Sequence, residues 1–190
     1  MTALTEVTRL LLADNIRHRL VTNGLSVEVL ENDGLGTTAQ RDDATMDKVR
    51  RSMRFLCTEV YRKHETELVD MLKKLHIVPN TVHLKLETIM ISIFCDEINW
   101  GRIATLVAFC SMLAEQCLRM EMPYLVPKLI DWVTLFVDTQ LYSWIAENNG
   151  WTGILVFYDP DSSFWSFLKN VCGHHAHVGL SFMSHYGNAI

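Results

Sequence analysis

Four consecutive residues near the middle of the chain, Asn99-Trp100-Gly101-Arg102, stand directly ahead of a long apolar run. Asn99 is a good helix N-cap, and Gly101 has no Cβ, so another backbone can approach the first turn. Arg102 carries a planar donor fork that suits a carboxylate. Because it would face the positive end of the helix macrodipole, we expect an anionic group beside it.

Two sources of that anion are compatible with the residues. The first is an internal ion pair with Asp96 or Glu97, which precede the stretch. The second is a carboxylate on an incoming partner, bound by Arg102 at the rim of a groove. The four residues taken alone leave both sources open.

The helix that would position these groups is apolar on nearly every side. It reads "GRIATLVAFCSMLAEQCLRM", and a helix that is hydrophobic all round must be enclosed by others. Beyond Pro123, which we expect in a first helical turn, one or two further helices close at Asn148-Asn149-Gly150. These two segments predict a buried central hairpin.

The remaining segments are mostly helical in pattern. Apolar spacing predicts helices over 4–22, over Val49 to Leu75 in two apolar sets, over 81–95, over 153–158 with Thr152 as cap, and over 164–171. A flexible loop is expected at about 24–44, with Thr45 as the following cap, and a tail at about 172–190. The fold class is therefore predicted as all-α, with seven or eight helices around the central hairpin in one domain, 1–190.

The composition narrows the function classes. A net charge of -5 with 49% hydrophobic residues argues against disorder and gives no general attraction to nucleic acid or anionic lipid. None of the five cysteines forms a CxxC pair, and four lie in apolar helical stretches where buried free thiols are common. The N-terminus lacks the pattern of a secretory signal, so we expect a cytoplasmic protein.

Catalysis and metal binding are weakly supported. No nucleophile lies on a recognisable turn or beside a candidate base, so we expect no enzyme. The tail sequence "HHAH" and Cys172 suggest metal ligands, but no ordered helix would fix their geometry. We expect no metal and no cofactor.

The motif "NWGR" opening a long apolar helix, followed by "WIAENNGWTGILVFY", resembles the first and second homology motifs of the Bcl-2 family of apoptosis regulators. Both are present in order and spacing, and helices can be matched from about residue 5 to residue 170. The resemblance implies a helical bundle with a hydrophobic surface groove. That groove would hold the amphipathic death-motif helix of a pro-apoptotic partner, whose aspartate would pair with Arg102 assisted by Asn99.

The family's layout implies which other residues bind the partner helix. The expected set is Val60, His64, Leu68 and Met71 on one wall, Ile89 and Ile93 on the other, Thr105 and Phe109 on the floor, Tyr158 near the end, and Asp96 and Gly101 beside the arginine. For each apolar member, ordinary core packing is the alternative. Trp100, Trp144 and Trp151 are assigned to packing, as are Ile16 and Leu20 in a segment resembling the fourth homology region.

The third homology region distinguishes a receptor from a ligand. Met53 takes the place of the family's leucine, Cys57 the small residue, and Thr58 stands where aspartate is expected. Without that carboxylate the chain would be a poor ligand, which favours a pro-survival role. The alternative is a membrane-permeabilising effector of the same fold.

A membrane association is implied by the family and not by the tail. Residues 171–190 offer no run near the roughly 20 apolar residues that span a bilayer. The central helix from Ile103 to Met120 is long enough to cross most of one, although Glu115 and Arg119 interrupt it. Family members act at mitochondrial and reticulum membranes, so we expect association with the mitochondrial outer membrane or the endoplasmic reticulum.

Overall fold

The computed structural model describes residues 3–32 and 44–157, and the regular structure within those ranges is entirely helical. The helices are α1 (Ala3–Thr22), α2 (Glu28–Asn32), α3 (Ala44–Leu75), α4 (Val82–Ile93), α5 (Trp100–Arg119), α6 (Leu125–Phe136), α7 (Tyr142–Glu147) and α8 (Gly153–Phe157). A π-helical turn, Val137–Leu141, joins α6 to α7, and a 3-10 turn, Gly150–Thr152, precedes α8. If α6 and α7 are counted as one helix, the described part has seven helices. This all-helical structure confirms the predicted all-α class.

Helix α5 lies at the centre of the bundle. It contacts α1, α3, α4 and α6, and Phe109 and Leu113 in its middle are fully buried. Helix α6 forms the second arm of the hairpin and is covered on one side only, since Lys128, Asp131 and Leu135 are exposed. The predicted central hairpin is thus present, with α5 as its enclosed member.

Helices α1 and α3 cover much of α5. Ile16 and Leu20 of α1 are buried, which confirms their predicted packing role. Helix α3 is kinked at His64, whose backbone dihedrals (φ -132, ψ 23) are not helical. The kink falls between the two apolar sets that the sequence showed.

The predicted loop at 24–44 contains a short helix. Leu30 of α2 is completely buried, and the Glu28 N–H donates to the Ser26 hydroxyl at 3.3 Å. One buried leucine is too little to give a recognisable periodicity, and so the sequence pattern missed this helix. Helix α3 begins at Ala44, so the expectation that Thr45 caps it is wrong, and Thr45 lies within its first turn.

Three other predicted boundaries need correction. Helix α6 begins at Leu125, so Pro127 occupies its first turn, where no backbone donor is required, and Pro123 lies ahead of it. Thr152 does not cap α8, because its hydroxyl donates to the Asn149 carbonyl at 2.7 Å within the preceding turn. Helix α4 ends at Ile93, which leaves Cys95 exposed, against the expectation of a buried thiol.

The other described cysteines, Cys57, Cys110 and Cys117, are buried as expected. Burial raises the pKa of all three thiols, and that of Cys117 to about 12, because the apolar surroundings disfavour a thiolate. These thiols therefore act as small apolar groups in the core.

The one buried carboxylate of α5 forms a cluster that we call the Glu115 clasp, made of Glu115, Arg19, Asn23 and Arg119. Arg19 Nε and Asn23 Nδ2 of the α1 region donate to Glu115 Oε2 at 2.6 and 2.9 Å. Arg119 Nε and Nη2 donate to Glu115 Oε1 at 3.0 and 2.8 Å. The Arg19 guanidinium also stacks on the ring of Tyr61 in α3, 4.4 Å from its centroid. The clasp thus gives the Glu115 carboxylate hydrogen-bonding partners within an apolar helix and links α5 to α1, and the contact of Arg19 with Tyr61 adds α3.

The predicted packing role of the motif tryptophans is confirmed. The Trp100 ring lies 5.3 Å from that of Trp144 in an edge-on arrangement and 5.8 Å from that of Trp151. Trp151 Nε1 donates to the Thr8 hydroxyl at 3.1 Å, which connects this cluster to α1. The cluster packs the start of α5 against α7 and the 3-10 turn that precedes α8.

Gly153 is confined by this corner. A Cβ at this position would lie 1.9 Å from the Asn148 carbonyl oxygen and 3.0 Å from the Trp100 ring. We expect Gly153→Ala to lower the free energy of unfolding by about 1 to 3 kcal/mol, because the backbone must shift to relieve the overlap. Urea unfolding followed by circular dichroism measures this loss.

Gly24→Ala is the comparison. Its Cβ would meet nothing within 4 Å, so its cost is that of the left-handed backbone (φ +68) alone. Equal losses for the two variants would contradict the steric explanation at Gly153.

Candidate partner-binding site

The N-terminus of α5 is capped as the sequence predicted. Asn99 has an extended backbone (φ -152, ψ 165), and its Oδ1 accepts from the Arg102 backbone N–H at 2.9 Å. The other side of the same amide, Nδ2, donates to Glu97 Oε1 at 2.7 Å. Asn99 is therefore fixed on both sides, and the cap sets the direction from which Arg102 leaves the helix.

Removing this cap should destabilise the chain modestly. We expect Asn99→Ala to lower the free energy of unfolding by about 1 kcal/mol, because one orphan N–H of the first turn loses its acceptor. Asn99→Ser, which restores an acceptor oxygen, should recover most of the loss. Chemical denaturation checks both, and an alanine variant as stable as wild type would contradict the capping role.

The Arg102 guanidinium binds two acceptors of its own chain. Nη1 donates to the Ile93 carbonyl at the end of α4 at 2.6 Å, and Nη2 donates to Asp96 Oδ2 at 3.1 Å. The Arg102 side chain is 15% exposed and that of Asp96 is 51% exposed. The internal ion pair predicted as one alternative from the sequence is thus formed with Asp96, and the arginine side chain is mostly buried.

Two features of this site were not anticipated. The Ile93 carbonyl is an acceptor that a side-chain pattern cannot show, although the last carbonyls of a helix usually need partners. Glu97 pairs with the Asn99 amide and not with the arginine. Both are visible only once the end of α4 and the start of α5 are placed together.

The predicted wall residues divide by exposure. Val60 of α3 and Ile89 of α4 are half-buried and pack against the core, and α3 and α4 contact each other. Three others are buried, namely Leu68, Met71 and Ile93. Val60 and Ile89 therefore keep part of their apolar surface exposed, whereas the buried residues belong to the core cluster.

The remaining predicted members differ in their surroundings. Thr105 is half-buried, and its hydroxyl donates to the Gly101 carbonyl at 3.0 Å, one turn earlier in α5. Phe109 is completely buried in the core. His64 lies at the α3 kink with Nδ1 3.9 Å from Glu67 Oε1, and Tyr158 lies outside the described residues.

These features define a class: a helical bundle around one enclosed helix, with a partly exposed arginine where that helix begins. Residues 53–151 match the family model described as apoptosis regulator proteins, Bcl-2 family. The match covers half of the chain, and the chain belongs to the Bcl-2 family.

Relatives from vertebrates agree with this assignment. Apoptosis regulator R1 of Xenopus laevis is 27% identical over 172 residues, which cover 86% of this chain and 70% of that protein. Bcl-2-like protein 1 of Gallus gallus is 31% identical over 60% of this chain. The chain spans half the length of the latter.

Solved structures share the fold. The Trichoplax adhaerens protein trBcl-2L2, solved bound to trBak BH3, matches with a TM-score of 0.71 at 27% identity, over 83% of this chain and all of that one. Chicken BOK matches with a TM-score of 0.68 at 21% identity, over 82% of this chain and 97% of that one, which shows the fold alone.

Two further properties of the described ranges bear on function. Helix α5 is long and apolar enough to cross a membrane by length and composition, a criterion that a buried core helix also meets. Within 3–32 and 44–157 no three His, Cys, Asp or Glu side chains are grouped to hold a metal ion. The His-rich tail and Cys172 lie outside those ranges.

Proposed function

We propose that this chain is a pro-survival regulator that sequesters the amphipathic death-motif helix of a pro-apoptotic family member. The observation that carries the proposal is the Arg102 donor fork at the start of α5, which binds the end of α4 and Asp96 and whose side chain is partly exposed. A partner aspartate would pair with it, and the site would be regulatory rather than catalytic. The Trichoplax relative solved with a Bak BH3 supports this mode of binding.

Apolar anchors of the partner would supply most of the contact energy. Val60 and Ile89 are half-buried and available to contact them. Each anchor that becomes buried contributes about 1.5 to 3 kcal/mol before the costs of association are subtracted. Leu68, Met71 and Phe109 are buried, so they would reach a partner only if the helices that cover them moved.

The third homology region supports the receptor role over the ligand role. Thr58, which stands at the position of the ligand's aspartate, is exposed and its hydroxyl donates to the Arg54 carbonyl at 2.9 Å. Met53 and Cys57 from the same region are buried in the core. The segment would have to leave the bundle to act as a ligand, and it would then lack the acid.

A direct test is titration with a synthetic amphipathic helix that carries one aspartate between apolar anchors, and with the same peptide carrying alanine at that position. We expect the acidic peptide to bind more tightly than its alanine counterpart by calorimetry. Equal affinities would contradict the assigned role of the arginine.

The second candidate function, a membrane-permeabilising effector, is favoured by the length and apolar character of α5. Liposome leakage separates the two. Suppression of leakage caused by a known effector supports the pro-survival proposal, whereas leakage from this protein after addition of an activating helix supports the effector.

The proposed location follows from the proposed partners. Pro-apoptotic relatives would be met in the cytoplasm and at the mitochondrial outer membrane or the endoplasmic reticulum. The net charge of -5 offers no general attraction to nucleic acid, and we propose no cofactor.

A further inference from the structure

The polar groups at the start of α5 are engaged by acids of the same chain. Asp96 accepts a hydrogen bond from Arg102 Nη2, and Glu97 accepts one from the Asn99 side-chain amide. Both acids belong to the short segment between α4 and α5. Arg102 Nη1 is committed to the Ile93 carbonyl. A carboxylate that approaches Arg102 therefore meets a guanidinium that already has an anionic partner.

Two carboxylates on one guanidinium repel each other. A bidentate pair needs two parallel N–H groups on one edge of the fork, and one of the two terminal nitrogens already points to Asp96. Either the incoming acid accepts a poorer geometry close to a like charge, or Asp96 moves away. Asp96 is half exposed and lies in the segment between the two helices, so the side chain has solvent into which it can move.

We infer that Asp96 is a specificity-determining residue that competes with the acid of a partner helix for Arg102. The inference rests on the proposed function and adds a requirement for tight binding, namely that the acid of the partner helix displaces Asp96. In the unbound chain Asp96 balances the arginine charge at the positive end of the α5 dipole. A partner gains affinity only where its own acid is placed well enough to replace Asp96.

The variant Asp96→Asn tests this competition, because it keeps the shape and an acceptor oxygen but removes the charge. Titrated with the acidic peptide described above, it should bind about three to ten times more tightly than wild type, the range that loss of one partly exposed ion pair and one like-charge contact allows. The peptide with alanine in place of aspartate should bind both proteins equally.

Glu87→Gln is the matched control. Glu87 is an exposed carboxylate of α4 that forms no ion pair among the described residues, and its replacement changes the net charge by the same amount. It should leave both affinities unchanged. Raising the salt concentration should reduce the difference in affinity for the acidic peptide between wild type and Asp96→Asn, since the competition is electrostatic.

The outcomes separate the two proposals. Unchanged or weaker binding of the acidic peptide by Asp96→Asn, or equal tightening for both peptides, overturns the competition. If neither peptide binds the wild type or either variant, the proposed function itself fails. Measuring the melting temperatures of wild type, Asp96→Asn and Glu87→Gln checks whether differences in folding cause the result.

Discussion

Arg102→Ala should weaken binding of an acidic amphipathic helix by about 2 to 5 kcal/mol, the range for breaking a well-desolvated charge pair. Part of that loss is the cost of leaving the partner carboxylate without a donor in a partly buried position. Arg102→Lys should give an intermediate loss, because it keeps the charge but not the fork. Calorimetric titration with the acidic and alanine peptides measures each step.

Two comparisons make this result specific. Arg51→Ala removes an exposed arginine of α3 that forms no ion pair in the described part of the chain, and it should leave affinity unchanged. Because Arg102 also binds the Ile93 carbonyl, the stability of each variant must be measured separately from its affinity. If Arg102→Ala folds and binds the acidic peptide as tightly as wild type does, the recognition mode is wrong.

Glu115→Ala should be the most damaging substitution for stability among those considered, with a loss of about 3 to 5 kcal/mol. The Glu115 side chain is 12% exposed and that of Arg19 is 18% exposed. Removal of the carboxylate leaves Arg19 and Asn23 without their shared acceptor in a poorly solvated position. Urea unfolding followed by circular dichroism gives the loss directly.

A double variant separates the loss of charge pairing from the loss of packing. Replacement of both partners with apolar residues of similar size, Glu115→Leu with Arg19→Met, should recover much of the stability lost by Glu115→Ala, because no unpaired buried charge remains. Asp70→Ala, which breaks an exposed pair with Lys73 on α3, should have little effect. A double variant no more stable than Glu115→Ala would contradict the explanation that an unpaired buried charge causes the loss.

Helix positions were largely predictable, because most helices carry repeated apolar residues at helical spacing. Helix α5 stood out since an all-apolar helix has few other environments. Helix α2 did not, because Leu30 is its one fully buried residue among those described. The first turn of α6 was misplaced because Pro123 and Pro127 both satisfy the same local rule.

The cap and the ion pair at the start of α5 were predictable as residues, but their exact contacts were not. Asp96 and Glu97 were both candidates for Arg102, and the structure pairs Asp96 with Arg102 and Glu97 with Asn99. Helical spacing places Leu68 and Phe109 on the apolar faces of their helices, but it does not show whether another helix covers those faces. The structure buries both, which a pattern of residue types cannot express.

The two arginines of the Glu115 clasp belong to different helices, and this has a consequence for the second candidate function. Arg119 is one turn from Glu115 on α5 itself, whereas Arg19 belongs to α1. If α5 were to enter hydrocarbon, it would take Arg119 with it and leave Arg19 in water. The helix would then carry the Glu115–Arg119 ion pair into the lipid and not an unpaired carboxylate. Moving an ion pair into hydrocarbon costs less free energy than moving an unpaired charge.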